Sequence, residues 1–230
     1  NKCDLADERA TDIWQEYFEK QGFRVIRINA LKGNGLGEVT ETARGLMKEK
    51  IEKLKARGRI NVPIRSMIVG IPNVGKSSFI NRLSSRSAAK TGNRPGVTTA
   101  KQWIRIAGKY ELLDTPGILW PKFESPEAAR RIAFTGGIKD EIMDIEELAF
   151  YLVGYLKENY PQNLIKQYKL SGSDLAADDW DLVQIIGKKR GCIISGGETD
   201  TFRASNLILD DFRAAKLGRI TLELPESAND

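Results

Sequence analysis

Apolar positions along the chain change period several times, and each change marks an element. From Ala6 to Gln21, Ile13 and Tyr17, joined by Trp14 and Phe18, recur at helical spacing before a stop at Gly22. Phe23–Ala30 (FRVIRINA) alternates and is rich in β-branched residues, which predicts a strand. A Gly-rich turn, LKGNGLG, leads to a helix over Val39–Ala56 that ends in the basic run KEKIEKLKARGR. PIRSMIVG reads as a short apolar strand running into the loop and helix of IPNVGKSSFINRLS. KQWIRIAG and KYELLDTPG follow as two strands around a tight turn near Gly108.

The pattern becomes helical after Pro121. Pro126–Gly137, Asp140–Asn159, Asp178–Lys188 and Ala204–Lys216 are the predicted helices. Ile142, Ile145, Leu148, Ala149, Leu152 and Leu156 form one apolar stripe expected to be core. The chain therefore divides into an α/β part, residues 1–121, and a helical part, residues 122–230.

Composition narrows this little. The 230 residues are 41% hydrophobic and 29% charged, as in ordinary globular proteins. A net charge of +5 is compatible with a nucleic-acid partner without requiring one. Cys3 and Cys192 lack metal-ligand spacing and read as free thiols of a reducing cytosol. No apolar run approaches the ~20 residues of a membrane span. The sequence has no histidine, so imidazole acid–base chemistry is excluded within these residues.

The chemistry lies in two places. Gly70-Ile-Pro-Asn73-Val74-Gly75-Lys76-Ser77 fits G-x-x-x-x-G-K-[ST], between an apolar strand and an amphipathic helix. Its backbone amides, with Ser78 beside them, are placed to wrap a polyphosphate at a helix N-terminus. Lys76 would reach the outer phosphates, and the Ser77 hydroxyl would ligate Mg²⁺. Asp114-Thr-Pro-Gly117 ends a strand, where the carboxylate can hold the Mg²⁺ shell and the Gly117 N–H can meet the γ-phosphate. Thr98 in RPGVTT is the candidate second Mg²⁺ hydroxyl, with Thr99 as its neighbour.

The chain starts with Asn1-Lys2-Cys3-Asp4, the N-K-x-D pattern with which many GTPases read guanine. Asp4 can accept from guanine N1–H and N2–H₂, a donor pair that adenine lacks. Asn1 and Lys2 would bridge to the phosphate loop and cover the base, and Asn29-Ala30 would offer a backbone N–H to guanine O6. In a conventional GTPase the base motifs come last. Here they come first, which is the order of a circular permutation.

This order, together with GIPNVGKSS, RPGVTTAKQW and LLDTPGILWPKFE, resembles the RbgA/YlqF family of bacterial ribosome biogenesis GTPases. TGGIKD, KRGCIISGG and KLGRI look similar to the same family. The resemblance implies a permuted Ras-like α/β GTPase domain, with a mostly parallel sheet and helices on both faces, followed by a small all-helical RNA- and ribosome-binding domain. It implies GTP/GDP and Mg²⁺ as ligands, and late assembly of the large subunit with its rRNA as partner. The protein is expected to be cytoplasmic, and monomeric off the ribosome. Family members carry a further segment ahead of N-K-x-D. Without it a strand built for burial would present an open edge, so the expectation is a chain longer than these residues.

Ile118 stands where many GTPases place a water-orienting Gln. Catalysis within these residues would rest on Mg²⁺, Lys76, the loop amides and Gly117. The resemblance adds Asn73 as a holder of K⁺ near the phosphates, and implies slow turnover raised by K⁺ and by the ribosome. Two alternatives stay open: an rRNA-binding checkpoint whose hydrolysis is incidental, or another permuted ribosome-associated GTPase. Two basic groups have both a solvated and an RNA-contacting reading. One is Lys48, Lys50, Lys53, Lys55, Arg57, Arg59 and Arg65; the other is Lys188, Lys189, Arg190, Arg213, Lys216 and Arg219. Trp103, Trp120 and Trp180 are expected to pack, with base stacking as the other role.

Overall fold

Three of the apolar runs meet in one mixed sheet. The computed structural model of the chain describes residues 1–87, 102–106, 110–115, 123 and 125–225. Within them Ile64–Ile68 forms β1, Gln102–Ile106 β2 and Tyr110–Asp114 β3, in the spatial order β1-β3-β2. β1 runs parallel to β3 and β2 antiparallel to it. Register places Glu111 of the central strand opposite both Arg65 and Arg105. Its carboxylate accepts from the two guanidinium groups at 2.8 and 3.1 Å. The Arg65 bond holds the Glu111 carboxyl below its usual range. Arg65 is thus committed to the sheet, its guanidinium also lying 5.7 Å from the ring of Trp103. Trp103 itself is 56% exposed rather than packed away.

The chain divides into two compact units: Asn1–Asp4, Arg9–Trp120 and Leu224–Asp230 in one, Leu5–Glu8 and Pro121–Glu223 in the other. The first holds the sheet and four helices, α1 (Glu8–Lys20), α2 (Leu36–Leu46), α3 (Lys48–Ala56) and α4 (Lys76–Ser87). Its core joins Leu36 of α2, Ile80 and Leu83 of α4, Ile106 of β2 and Leu112 of β3. Two expectations need correction. Phe23–Ala30 is not a strand: residues 23–28 enter no ladder among the described residues, and Ile28 instead accepts the Cys3 N–H at 3.2 Å. Alternation and β-branching describe a fit to a neighbouring pleated surface, and without one they do not make a strand. The helix over Val39–Ala56 is two helices, offset at Met47 (φ −96°, ψ 0°) after the flexible Gly45. α3 then buries none of its residues. Gly108, Trp120 and Pro121 lie outside the described residues.

In the second unit, α5 (Pro126–Phe134), α7 (Pro161–Tyr168), α9 (Asp179–Lys189) and α10 (Thr201–Arg213) pack around α6 (Ile145–Asn159), and the short α8 (Gly172–Leu175) lies against α9. Ile145, Leu148, Ala149, Leu152, Val153 and Leu156 are the buried face of α6. Ile142 is not part of it. Asp144 caps α6 by accepting from Glu146 and Glu147 N–H, so Asp140–Ile142 becomes a separate 3₁₀ turn and Ile142 is 73% exposed. Ser125, Ser171, Asp178 and Asp200 cap α5, α8, α9 and α10 in the same way. α7 and α8 escape the apolar period, although Pro161 at a helix start and the Ser171–Asp174 capping box announce them. Gly187 is required by packing: a Cβ there would fall 2.5 Å from Thr199 Cγ2 and 2.8 Å from Ala204 Cβ.

Arg213 closes this unit from the end of α10. It donates to the carbonyls of Ala133 and Phe134, both at 3.0 Å, which finish α5, and binds the Asp140 carboxylate in a fork at 2.7 and 2.8 Å. Removing it takes the side-chain donor from the Phe134 carbonyl, one of two donors from the Ala133 carbonyl, and the cation from the Asp140 carboxylate. Arg213→Ala is expected to cost about 2–4 kcal/mol, read by urea denaturation followed by circular dichroism. The hydrogen bond from Arg213 holds the Asp140 carboxyl below its usual range. Its contribution to stability is therefore full above the unfolded carboxyl pKa, about 3.9, and is lost as pH falls through the folded value. Asp140→Asn should flatten the acid limb of stability against pH.

Candidate functional site

The phosphate loop follows β1 and ends at the first residue of α4, Lys76. Three of its residues have a positive φ, Gly70 (154°), Asn73 (60°) and Gly75 (89°). Asn73 is exposed, Val74, Lys76, Ser77 and Ser78 are half-buried, and the Gly75 carbonyl accepts from Phe79 N–H at 3.0 Å. The Lys76 ammonium turns back into the loop and donates to the carbonyls of Gly70 and Ile71 at 2.9 and 2.8 Å. Burial lowers the pKa of this ammonium, while the charge of Asp114 opposes the shift. Asp114 is fully buried at the end of β3, and the next residue, Thr115, donates its hydroxyl to the carbonyl of Ile68 at 2.7 Å. That bond ties the end of β3 to the end of the phosphate-loop strand.

The N-terminal tetrapeptide reaches this loop across most of the first unit's length. The Asn1 side-chain amide donates to the Val74 carbonyl at 2.7 Å and lies 3.4 Å from the Gly75 carbonyl. Its oxygen accepts from the Ala30 N–H at 3.0 Å. One carboxamide thus joins three segments. The junction needs a glycine at 75, because a Cβ there would land on the Asn1 side-chain nitrogen. Lys2 (φ 60°) is held left-handed in the same turn.

Asn29 is buried and organises its own loop. Its side chain accepts from Lys32 N–H at 2.9 Å, and its backbone bridges to Asn34. The N–H groups of both proposed O6 donors are engaged here, Ala30 with Asn1 and Asn29 with the Asn34 carbonyl. Sequence reasoning passed over Lys32, whose ammonium stands 3.9 Å from the Asp4 carboxylate. Its signal was its place two residues after Ala30. Thr98, Thr99, Gly117 and Ile118 lie outside the described residues.

The loop fits a nucleotide phosphate. Its glycines have the conformations of a backbone wrapped around an anion, and an ammonium already sits within reach of its carbonyls. For Mg²⁺, the Ser77 hydroxyl and the Asp114 carboxylate are hard oxygen donors. No group of three or more acidic, Cys or His side chains with metal-ligand placement exists among the described residues. Mg²⁺ bound to phosphates needs no such cage, because one or two protein oxygens suffice. A cleft of about 450 Å³ opens at the loop itself, lined by Asn1, Val74, Gly75 and Lys76 together with the apolar Ile26, Ile28, Val39, Ile68 and Phe79.

Among the basic residues of the helical unit, Arg213 is structural. Lys216 pairs with the buried Asp211 at 2.7 Å, Lys189 with Asp174 at 3.1 Å, and Arg219 with Glu8 at 3.5 Å. Trp180 is 39% exposed and tilts against Phe150. No helix among the described residues is long and apolar enough to cross a membrane.

A family profile described as "50S ribosome-binding GTPase" matches residues 65–174. The chain is 47% identical to ribosome biogenesis GTPase A of Bacillus pumilus (strain SAFR-032) over 227 residues, 99% of this chain and 80% of that protein. It is 31% identical to the protein of that name from Thermotoga maritima, over 98% of this chain and 75% of the relative. Two solved structures share its fold. One, described as GDP-bound TM YlqF, has a TM-score of 0.62 at 26% identity, covering 98% of this chain and 82% of that one. The other, GNP-bound YlqF from T. maritima, has a TM-score of 0.61 at 27% identity, with 98% and 80% covered. With identity near one half over almost its whole length to a relative of this kind, the chain belongs to the ribosome biogenesis GTPase A family.

Proposed function

We propose that the protein is a GTP-hydrolysing switch in late maturation of the large (50S) ribosomal subunit. In this reading residues 1–121 are a circularly permuted GTPase domain, and residues 122–230 a helical domain that binds rRNA. The observation that carries it is the Asn1 carboxamide, bonded to the phosphate loop at Val74 and to the base loop at Ala30. An N-K-x-D tetrapeptide and a phosphate loop far apart in sequence are joined by this side chain. The names of the relatives, and the GDP- and GNP-bound neighbours, support the nucleotide and the ribosome.

In the working site Asp4 reads the guanine edge, Lys2 covers the base, and Asn29 and Ala30 shape the loop beside it. Lys76 exchanges the Gly70 and Ile71 carbonyls for phosphate oxygens, so nucleotide binding replaces hydrogen bonds that already exist. The amides of Asn73, Val74, Gly75 and Ser78 face the phosphates. Ser77, Asp114 and Thr98 hold Mg²⁺, which supplies charge neutralisation to the phosphoryl group. Gly117 contacts the γ-phosphate and Asn73 helps to hold K⁺. With Ile118 in place of a water-orienting Gln, turnover is slow until the ribosomal partner completes the site. The protein works in the cytoplasm, as a monomer off the ribosome.

Asp4→Asn removes one acceptor and supplies a donor suited to the xanthine carbonyl. GDP affinity should fall by at least about 100-fold and XDP affinity should rise, read by fluorescent-nucleotide titration. Unchanged GDP affinity would place the base reader elsewhere. GTP turnover should be faster in KCl than in NaCl, and faster again with large subunits. Asn73→Ala should abolish the cation difference, and equal fast rates in all four conditions refute this mechanism. Large subunits should also distinguish the GTP and GDP forms; equal binding of both ends the switch reading.

A further inference from the structure

The positive charge of the chain is concentrated in one short segment. Residues 48–59 hold six cations, Lys48, Lys50, Lys53, Lys55, Arg57 and Arg59, against Glu49 and Glu52. That is a net of four positive charges out of the whole chain's net five, so the other residues are almost balanced. The segment is α3 and the turn after it, and α3 buries none of its residues. Lys53 is paired with Glu49 at 2.5 Å. Lys48, Lys50, Lys55, Arg57 and Arg59 are exposed and have no acidic partner among the described residues. Elsewhere many basic side chains are committed: Arg65 and Arg105 to Glu111, Lys157 to Asp179, Arg213 to Asp140, Lys216 to Asp211.

A lone surface helix with this charge has no packing reason to exist in this form. Like charges on its face repel, and each would be stabilised by a polyanion. A membrane surface would need an apolar face to insert. The apolar residues within α3, Ile51 and Leu54, are already half-buried, and the exposed Leu46 and Ile60 lie beyond its two ends. A phosphate backbone needs only cations on flexible stems. We propose that α3 and the turn to Arg59 are a phosphate-backbone contact for structured RNA on the GTPase unit, distinct from any RNA surface of the helical unit. The proposal rests on the ribosomal reading above and assigns it a surface. The contact is sequence-independent: it supplies affinity and orientation, while discrimination comes from elsewhere.

The test is a variant of the full chain with Lys48, Lys50, Lys55 and Arg57 all changed to Gln. Far-UV circular dichroism and GDP affinity should be unchanged, since these side chains touch neither core nor nucleotide loops. Binding is measured to a duplex RNA of arbitrary sequence, to purified large subunits and to phosphatidylglycerol vesicles, between about 50 and 200 mM KCl. The slope of log affinity against log salt for duplex RNA should fall by about 3, with at least about 10-fold weaker binding at the lower salt. An unchanged slope, with the parent protein binding RNA, overturns the proposal and leaves the ribosomal reading intact. Parent protein that binds neither subunits nor duplex overturns both. Vesicle binding that exceeds RNA binding and is lost in the variant assigns the segment to membranes and overturns the proposal as well.

Discussion

One carboxamide, that of Asn1, ties the phosphate loop to the Asn29-Ala30 loop. It has two hydrogen-bonding ends, and each is spent on a different loop: the nitrogen on Val74 and the oxygen on Ala30. The approach is close enough that position 75 can carry no side chain. The loops themselves are held by other means. Asn29 folds the base loop around its own side chain, and Thr115 fastens β3 to the end of β1. What Asn1 adds is the tie between the two loops, which a ligand with a base at one end and phosphates at the other would span in the proposed site.

The helical unit uses charge in the opposite way. Arg213 finishes α5 and pairs with Asp140, Lys157 pairs with Asp179, and Lys216, itself half exposed, pairs with the buried Asp211. Arg213 adds side-chain donors to the last two carbonyls of α5. Several cations of the basic tail are thus paired with acidic side chains, whereas most of those in α3 and the turn after it face solvent without one among the described residues.

Legibility followed the range of the forces involved. The strand, loop and helix of the phosphate motif and most of the buried face of α6 were readable because each is settled by neighbours within one or two turns of chain. The end of the α6 stripe at Ile142 was not, since Asp144 as a cap overrode an apolar match by one turn. Phe23–Ala30 had every local mark of a strand, but strand formation depends on what lies alongside. The role of Arg213 was invisible because Asp140 and the Ala133 carbonyl are remote in sequence. The bridge at Asn1 was legible only because N-K-x-D announces its partner.

α3 has a consequence for how such a protein can change over time. Core residues such as Leu152 or Ile186 are each answerable to many neighbours, so substitution there is a question of folding first. α3 has no fully buried residue, and its lysines are all exposed. Charges on it can be added or removed one at a time, each moving affinity for an anionic partner by a small increment while the fold stays indifferent. If α3 meets a polyanion, its affinity can thus be matched to the ionic strength in which it works while the core is left alone.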